Sequence, residues 1–489
     1  MIITINTTYQ RIITITLLVV VIWAAWPGSL YFVNDDYLHI PQLGEGLFVN
    51  THFVRPVAEF TIWLDYTIWG KNATGYHITN LAIHLVNTLL LFYFSKLFFT
   101  RCTGWGKKQI QTGAWLMSVL FLVFPFHAEA IFWILGRGAS LSFLWMLLSL
   151  IVYLQTEKKQ TRIYLSYLFF LLALFTYESS YIFPFLVLII AAINAGLDSA
   201  KLKRWNIAGF FVLLIVVLGW RVFTTGKLVD SYEAGNVLNF NLGTLAYNAN
   251  ALLARSFIMP LQSSIWMIIC YVLVLTCIGF VMYVLYQLNR NLYKLTWVLL
   301  GAFAVCILPV ISKGIDTHDG EGGRFLYLPS LFILLLLLMC CIRIIRSPII
   351  RSCVLVGIGF YYTVCFISFS QEYKQASLIA RSSFNQLPAD KQFKKIYLQQ
   401  LPTQYKGAFI FRSNFTEGLQ WICPGLHADS IILLSEKEII ERSPAYKTIV
   451  PPPASNSFMV SDSSGRVYTF IPGQHLLLHW KDSSFQIMQ

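Results

Sequence analysis

Two adjacent aspartates, Asp35 and Asp36, follow directly on the first long apolar run of the chain. Two carboxylates at a membrane–water interface can act as a general base, as a cation site, or as both. An acidic pair by itself is weak evidence for any of these roles, because such pairs are frequent in ordinary loops. The two residues are therefore candidate catalytic residues, and the pattern alone does not choose between the chemistries.

A second polar cluster, His127, Glu129 and Arg137, lies in a short segment between two apolar runs. A histidine, a carboxylate and a guanidinium this close together could bind an anion, since arginine can donate two parallel hydrogen bonds to a phosphate. The alternative is that the cluster anchors helix ends at the interface, where an arginine extends its charged end to water. The sequence supports both interpretations equally.

Other polar residues also stand beside apolar runs. Glu178 lies where two runs meet, and Arg324 and Tyr327 lie in a glycine-rich acidic segment just ahead of another run. The second run carries a polar stripe on one helix face, which must face protein or water. The stripe consists of His77, Asn80, His84 and Asn87. For its last three members we expect hydrogen bonds between helices.

The elements that must position these residues are membrane helices. Of the 489 residues, 56% are hydrophobic and only 12% are charged, whereas a soluble protein carries about 25% charged residues. A membrane span needs about 20 mostly apolar residues. On that rule the chain is an all-α polytopic membrane protein with about eleven transmembrane helices, near residues 12–33, 76–99, 110–126, 139–154, 163–177, 179–196, 206–223, 264–286, 295–312, 326–342 and 352–369.

The positions of lysine and arginine orient these helices. If the N-terminus is cytoplasmic, five consecutive cytoplasmic loops are short and basic, as the positive-inside rule requires. The basic residues of these loops are Arg101, Lys107, Lys108, Lys158, Lys159, Arg162, Lys201, Lys203, Arg204, Arg290, Lys294, Arg343, Arg346 and Arg351. The residues then placed outside the cytoplasm are 34–75, 127–138, 224–263, 313–325 and everything after about 370. The acidic, histidine and isolated arginine residues thus gather at the outer surface.

The same distribution excludes a nucleic-acid partner. The net charge of +13 comes from short basic clusters between apolar runs, not from a basic face or a nucleic-acid-binding motif. The nine cysteines form no metal-spaced pair and are typical of small apolar residues. Acidic residues at positions 35, 36, 129, 319 and 321 leave a divalent cation open, although their spacing matches no calcium-loop motif. No other cofactor is indicated.

The chain divides near residue 370. Residues 1–370 form the membrane domain, whereas residues 371–489 have ordinary polarity, short alternating apolar runs and a proline-rich break at residues 451–453. We predict a small extracytoplasmic domain there, either α/β or rich in strands. No tetratricopeptide pattern is present in the sequence.

Several short motifs, in order over residues 30–335, resemble those of a known family. They are Arg55-Pro56, Leu64-Asp65-Tyr66, Trp69-Gly70, the stretch from Gly75 to Asn87, the stretch from His127 to Gly138, Tyr177-Glu178-Ser179 and the stretch from Gly323 to Ser330. The family is the GT-C superfamily of membrane glycosyltransferases, and in particular bacterial relatives of the TMTC-type O-mannosyltransferases. Tyr177 stands where relatives often have lysine, and Gly323 where they often have glutamate.

The resemblance implies a multi-helix bundle with interfacial helices, and residues 57–69 are suited to one of these. It implies an inverting transfer of sugar from a polyprenyl-phosphate-linked donor to a hydroxyl of a protein, glycan or lipid, with Asp35 or Asp36 as the catalytic carboxylate. The donor-phosphate and substrate-binding residues that it implies are His127, Glu129, Arg137, Glu178, Arg324, Tyr327, Arg55 and His77. The expected location is a bacterial inner membrane, with the C-terminal domain in the periplasm.

Two other functions remain in competition with glycosyl transfer. One is a transporter or flippase for a lipid-linked saccharide, and the other is a non-catalytic membrane assembly protein whose tail binds a partner. Transporters often carry inverted repeats and ionisable groups near the midplane of the membrane. We find no such repeat, and the acidic groups cluster at one surface, which favours the enzyme.

Overall fold

The computed structural model describes residues 7–47, 54–103, 105–156, 159–194, 204–226, 241–288, 290–387, 394–399, 401–425, 431–434, 459–461, 467–469, 474–481 and 484–487. Three basic loop residues used to orient the helices, Lys158, Lys201 and Lys203, lie outside the described residues. So do the proline-rich break at residues 451–453 and residues 227–240 of a predicted outer loop.

Most of the described chain is helical. The α-helices are α1 (Thr7–Ala24), α2 (Asp36–Gly44), α3 (Pro56–Trp69), α4 (Ala73–Cys102), α5 (Lys107–Leu122), α6 (Ala128–Phe132), α7 (Arg137–Leu154), α8 (Arg162–Leu174), α9 (Phe183–Asn194), α10 (Arg204–Thr225), α11 (Leu242–Arg255), α12 (Ser264–Leu288), α13 (Arg290–Ile307), α14 (Ser330–Ile344), α15 (Pro348–Asn385) and α16 (Phe415–Ile422). Short 3-10 helices cover Pro27–Ser29, Pro125–His127, Glu178–Ile182, Leu308–Val310 and Gly323–Leu326.

Within the described residues, seven helices are long and apolar enough to cross a membrane, and an eighth span is formed if one bent helix pair crosses as a unit. The bent pair is Lys107–Leu122 with Pro125–Phe132. Three shorter apolar helices are Arg162–Leu174, Glu178–Ile193 and Ser330–Ile344. The polytopic membrane character is therefore confirmed. Each apolar run found in the sequence coincides with a helix, but the count of eleven spans stays a prediction.

A proline causes the bend of 53° in that pair. Phe124 precedes Pro125 and adopts an extended conformation with ψ of 115°, because the proline ring disfavours helical geometry in the residue before it. The helix restarts after the bend as Pro125–His127 and then α6. The interruption therefore places His127 and Glu129 on a short separate helical segment.

The chain separates into two compact units. The first contains Met1–Trp26, Leu47–Asp65 and Tyr76–Gln371, and the second contains Pro27–Gly46, Tyr66–Gly75 and Glu372–Gln489. The second unit thus includes α2, the segment with Asp35 and Asp36, which the division near residue 370 assigns to the membrane domain. That division stays a prediction.

The C-terminal part of the second unit contains a four-stranded sheet. The strands described in this part of the chain are β1 (Lys395–Gln399), β2 (Gln404–Tyr405), β3 (Ala408–Phe409), β4 (Ile431–Leu434), β5 (Met459–Ser461), β6 (Val467–Thr469), β7 (His475–Lys481) and β8 (Ser484–Ile487). The sheet order is β4-β1-β7-β8. β1 runs parallel to β4 and to β7, whereas β7 and β8 are antiparallel. Two smaller pairs are β2 with β3 and β5 with β6.

An aromatic cluster joins α2 to the C-terminal segments of the second unit. The ring of Tyr37 lies 5.3 Å from that of Phe384 and 5.8 Å from that of Phe411. Phe384 also stacks on Phe415 at 5.4 Å. A Cβ at Gly418 would lie 2.8 Å from the Tyr37 ring, so the cluster leaves no room for a larger residue there. Segment 27–46 is therefore packed as part of the same core as the tail.

Candidate functional site

Asp36 is fully buried at the start of α2. Its Oδ2 accepts a hydrogen bond of 3.0 Å from the backbone N–H of Val33. The next residue, Tyr37, donates from its hydroxyl to the carbonyl of Phe32 at 2.5 Å. These contacts fold the chain tightly just ahead of α2, and they give Asp36 a role in holding the loop.

Asp35 differs from its neighbour because it is only half-buried. Its Oδ1 accepts a hydrogen bond of 2.7 Å from the hydroxyl of Ser413 and one of 2.9 Å from the side-chain amide of Asn414. Among the residues that the structure describes, hydrogen bonds reach only this one carboxylate oxygen. Asp35 is therefore held in place with its second oxygen left for another partner, as a general base requires.

The residue before the pair, Asn34, fixes the loop to the tail. Its φ of 53° lies in the left-handed region, which asparagine tolerates better than most residues. Its N–H donates to the carbonyl of Ile410 at 2.8 Å. Its side-chain oxygen accepts from the N–H of Ser413 at 3.1 Å and lies 2.9 Å from the Ser413 hydroxyl. The loop of Asn34 and Asp35 is thus connected to residues 410–414 by several hydrogen bonds.

In the first unit, two arginines share one carboxylate. Arg55 donates to Glu178 from Nε at 3.0 Å and from Nη2 at 2.7 Å. Arg221 places Nη1 3.5 Å from the other oxygen of Glu178 and donates to the hydroxyl of Tyr181 at 2.7 Å. Two positive charges therefore meet one negative charge. The side chains of Arg55 and Glu178 are about one-fifth exposed, whereas Arg221 is buried.

Tyr177, noted above as a departure from the family motif, lies beside Arg55. The Arg55 guanidinium lies 4.5 Å from the centre of the Tyr177 ring, within the range of a cation–π contact. A Cβ on Gly138 would come within 3.0 Å of the same ring. Tyr177 therefore supports Arg55 from one side without adding a charge of its own.

Arg324 is bound to a buried carboxylate. Its Nη1 forms an ion pair with Oε1 of Glu129, and its backbone N–H donates to Oε2 at 3.0 Å. The guanidinium also lies over the rings of Trp133 and Phe325, at 5.0 Å and 4.7 Å. The segment that begins at Pro125 thus places Glu129 next to Arg324, and Glu129 orients the guanidinium.

Arg324 also lines a pocket within the first unit. The lining residues are Ala139, Tyr177, Ser179, Cys306, Val310, Arg324, Phe325, Leu328 and Pro329. Its lining combines one arginine and one serine with mainly apolar residues.

Arg137, by contrast, is enclosed on every side and has no exposed surface. Its Nη2 donates to Asp65 at 2.5 Å and to the carbonyl of Tyr76 at 3.0 Å. Nε donates to the side-chain oxygen of Asn80 at 2.6 Å, and Nη1 to the carbonyl of Thr61 at 3.1 Å. This arginine joins α3, α4 and α7, and its donors are already engaged by protein acceptors.

The polar stripe of α4 makes the interhelical hydrogen bonds that the sequence predicts. Asn87 donates to the carbonyl of Ser140 at 2.8 Å and to the hydroxyl of Tyr327 at 3.1 Å. His84 has Nε2 3.1 Å from the carbonyl of Leu122, which can only accept, so Nε2 carries the proton. The Tyr327 hydroxyl then donates to Nδ1 of His84 at 2.9 Å.

His127 and His77 are also buried. Nε2 of His127 donates to the hydroxyl of Ser330 at 2.9 Å, since that hydroxyl in turn donates to the carbonyl of Tyr327. The His127 ring packs 4.2 Å from the ring of Tyr327. His127 and Tyr327 therefore belong to one buried network that supports the helices around Arg324.

The acidic residues do not assemble into a cation site. Among the described residues, no three His, Cys, Asp or Glu side chains come together in the manner of metal ligands. Glu129 is bound to Arg324, and Asp36 accepts from a backbone N–H. The donor set around these residues does not fit a divalent cation, and we derive no step through one.

Some residues of these sites were absent from the candidates chosen from the sequence. Asp65, the partner of Arg137, stands within a motif of the family resemblance, so a signal for it existed. Ser413 and Asn414 lie 378 and 379 residues after Asp35 and belong to none of the motifs of the family resemblance. Only the folded structure reveals that they contact Asp35.

Comparison with known proteins gives protein O-mannosyl-transferases among the sequence relatives. A protein O-mannosyl-transferase of Caenorhabditis elegans is 31% identical over 116 residues, which is 22% of this chain and 15% of that protein. Protein O-mannosyl-transferase tmtc2 of Xenopus laevis is 25% identical over 240 residues, 44% of this chain and 26% of that protein. The chain resembles protein O-mannosyl-transferases. The resemblance indicated by the motifs is thus confirmed.

The similarity is partial in length. The chain spans only about an eighth to a quarter of the curated relatives it matches, from 12% to 26%. No family model matches the sequence.

Among solved structures, the crystal structure of ArnT from Cupriavidus metallidurans in the apo state aligns with a TM-score of 0.48 and 10% identity, over 95% of this chain and 97% of that chain. The same protein bound to undecaprenyl phosphate aligns with a TM-score of 0.46 and 11% identity, over 91% of this chain and 96% of that chain.

Proposed function

We propose that the protein is a membrane glycosyltransferase of GT-C type. It moves a sugar from a polyprenyl-phosphate-linked donor to a hydroxyl of an acceptor at the outer face of the membrane. The acceptor is a protein, a glycan or a lipid. The observation that carries the proposal is the half-buried carboxylate of Asp35, held through one oxygen directly after the first membrane helix. The similarity to protein O-mannosyl-transferases and the polytopic membrane character support it.

In the proposed reaction, Asp35 is the general base. The acceptor oxygen attacks the anomeric carbon of the sugar and gives its proton to Asp35, while the bond from that carbon to the phosphate oxygen breaks. The electron pair leaves with the polyprenyl phosphate, and the sugar passes through an oxocarbenium-like state. A single displacement of this kind inverts the configuration. Asp36 holds the loop and touches neither substrate.

For the leaving phosphate, stabilisation of the negative charge matters more than protonation. Two groups of the first unit are suited to holding that charge. One is Arg55 with Arg221, which carry one positive charge beyond that of Glu178, and the other is Arg324, which lines the pocket. Glu129 acts as a positioning residue for Arg324. For Arg137, His127, Tyr327 and His77 the proposed role is also to position the helices, because all four are buried.

The proposed location follows the orientation derived from the basic loops. The helices span a bacterial inner membrane, the N-terminus lies in the cytoplasm, and the tail lies in the periplasm. The donor is then a lipid that presents its sugar phosphate at the periplasmic surface.

The test compares two single substitutions in detergent-purified protein, with polyprenyl-phosphate mannose carrying a radioactive label as donor. Asp35→Asn should lower transfer by about 10²–10⁴-fold, the usual effect of losing a general base. Asp36→Asn should retain most activity, because an asparagine oxygen can still accept from Val33 N–H. Full activity of Asp35→Asn would remove the assigned base. Movement of the labelled lipid across proteoliposomes without any transfer would support a flippase instead.

A further inference from the structure

We propose that Ser413 and Asn414, in the C-terminal tail, are positioning residues for Asp35. They hold the carboxylate in the orientation in which its second oxygen takes the acceptor proton. This inference rests on the proposed role of Asp35 as the base. It also gives the tail a part in catalysis through Asp35, which the sequence motifs do not indicate.

The geometry of the contacts supports this assignment. The Ser413 hydroxyl lies 2.7 Å from Asp35 Oδ1 and 2.9 Å from Asn34 Oδ1. A hydroxyl has one proton to donate, and a carboxylate is a stronger acceptor than an amide oxygen. The proton therefore goes to Asp35 while that residue is ionised. Asn414 donates to the same carboxylate oxygen at 2.9 Å and lies 3.1 Å from the Ser413 hydroxyl.

The backbone at Asn414 makes this contact specific. Its φ of 62° is left-handed, which asparagine and glycine adopt far more readily than other residues. In that conformation it stands immediately before α16, and its side chain does not cap the helix but reaches Asp35. The side chain that would ordinarily satisfy the helix end is thus committed to the carboxylate.

Both donors bind one oxygen, which fixes the rotation of the carboxylate. The carboxylate rotates about its Cβ–Cγ bond, and two donors at Oδ1 restrain that rotation more than one donor would. The second oxygen then keeps one direction, which lowers the entropic cost of reaching a productive geometry with the acceptor hydroxyl. Loss of either donor should lower kcat and leave binding of the donor lipid unchanged.

The experiment uses the full chain in detergent with polyprenyl-phosphate mannose. Ser413→Ala removes the hydroxyl, and Asn414→Gly removes the amide while still allowing the left-handed backbone. Each should lower kcat about tenfold, the effect of losing one hydrogen bond to a charged group. KM for the lipid should stay within about twofold. Tm should stay within about 2 °C, because the loss of one hydrogen bond shifts Tm little when the unfolding entropy of a long chain is large. Ser413→Thr, which keeps the hydroxyl, should recover most of the lost kcat.

A second serine of the same unit serves as the matched control. The Ser382 hydroxyl donates to the carbonyl of Ile379 within its own helix, so Ser382→Ala should be fully active. Full kcat in both Ser413→Ala and Asn414→Gly would overturn the inference, as would a loss that merely follows a fall in Tm or is not recovered by threonine. If Asp35→Asn is inactive while both tail variants are fully active, the proposed base stands and only the inference fails.

Discussion

Several arginines of the first unit form ion pairs with carboxylates, but they differ in how much of their charge remains available. Arg137 has no exposed surface and donates to Asp65, Asn80 and backbone carbonyls. Arg55 shares Glu178 with Arg221 and is partly exposed. A guanidinium whose donors are all engaged contributes to stability, whereas one in a group with net positive charge can still attract a phosphate. Residue type alone could not separate these two roles.

This difference predicts opposite phenotypes for two substitutions. Arg137→Met leaves Asp65 buried without its charge partner, and breaking a buried ion pair costs about 3–5 kcal/mol. We expect a large fall in the apparent Tm of the detergent-purified protein, measured by differential scanning fluorimetry. Arg55→Met is the control: Glu178 keeps Arg221, so Tm should change little. If the phosphate role is right, KM for the lipid donor should instead rise about tenfold, equivalent to about 1.4 kcal/mol. Equal Tm values for the two variants would contradict this division of roles.

At the scale of elements, α3 is a short helix with one buried face and one exposed apolar face. Ala58, Ile62 and Asp65 are buried on one face. Phe60, Leu64 and Ile68 are exposed at spacings of four residues, and therefore line another face. An exposed apolar stripe of this kind is typical of a helix that lies in a membrane interface. The helix itself is confirmed, and its position along the membrane surface stays a prediction.

Glu59 on α3 makes the stability of the protein depend on pH. Burial raises the pKa of Glu59 from 4.5 to about 7, against a smaller lowering by the nearby Arg55. The folded state therefore holds this proton more tightly than the unfolded state, so its contribution to stability is greatest below pH 4.5 and is lost as pH rises to about 7. Glu59→Gln removes this dependence, so its Tm relative to wild type should rise between about pH 5 and about pH 8.

Thermal unfolding at the two pH values measures this difference. Glu45→Gln, at an exposed glutamate just after α2, is the matched control and should track wild type at both. A constant Tm difference for Glu59→Gln would show that the carboxyl is not held in its neutral form.

Sequence patterns predicted the secondary-structure elements better than they predicted which residues contact one another. Each apolar run marked a helix, because hydrophobic length is a local property. The four-stranded sheet follows from pairings such as Tyr397 with Ile432 and with Leu477, which no local pattern specifies. The ion pairs Arg55–Glu178 and Arg324–Glu129 join residues more than a hundred positions apart. The residues were visible as candidates, but the pairing was not.

At the scale of the whole molecule, the proposal depends on which side of the membrane carries Asp35. The alternation of basic loops puts residues 34–75 outside and residues 101–108 inside. In a cysteine-free background, a cysteine at Glu45 should react with a membrane-impermeant maleimide in intact cells. A cysteine at Lys107 should react only after permeabilisation. Both positions are exposed, so access is set by the membrane and not by burial. Labelling in the reverse pattern would place Asp35 in the cytoplasm and rule out the periplasmic reaction.

The packing of Pro27–Gly46 into one compact unit with Glu372–Gln489 has a consequence for synthesis. The ribosome makes Ser413 and Asn414 almost 380 residues after Asp35. While the helices between them enter the membrane, the Asp35 loop has none of its tail contacts. The carboxylate therefore acquires these contacts only after Ser413 and Asn414 have been synthesised, and a chain released before that point carries inserted helices with an incomplete Asp35 loop.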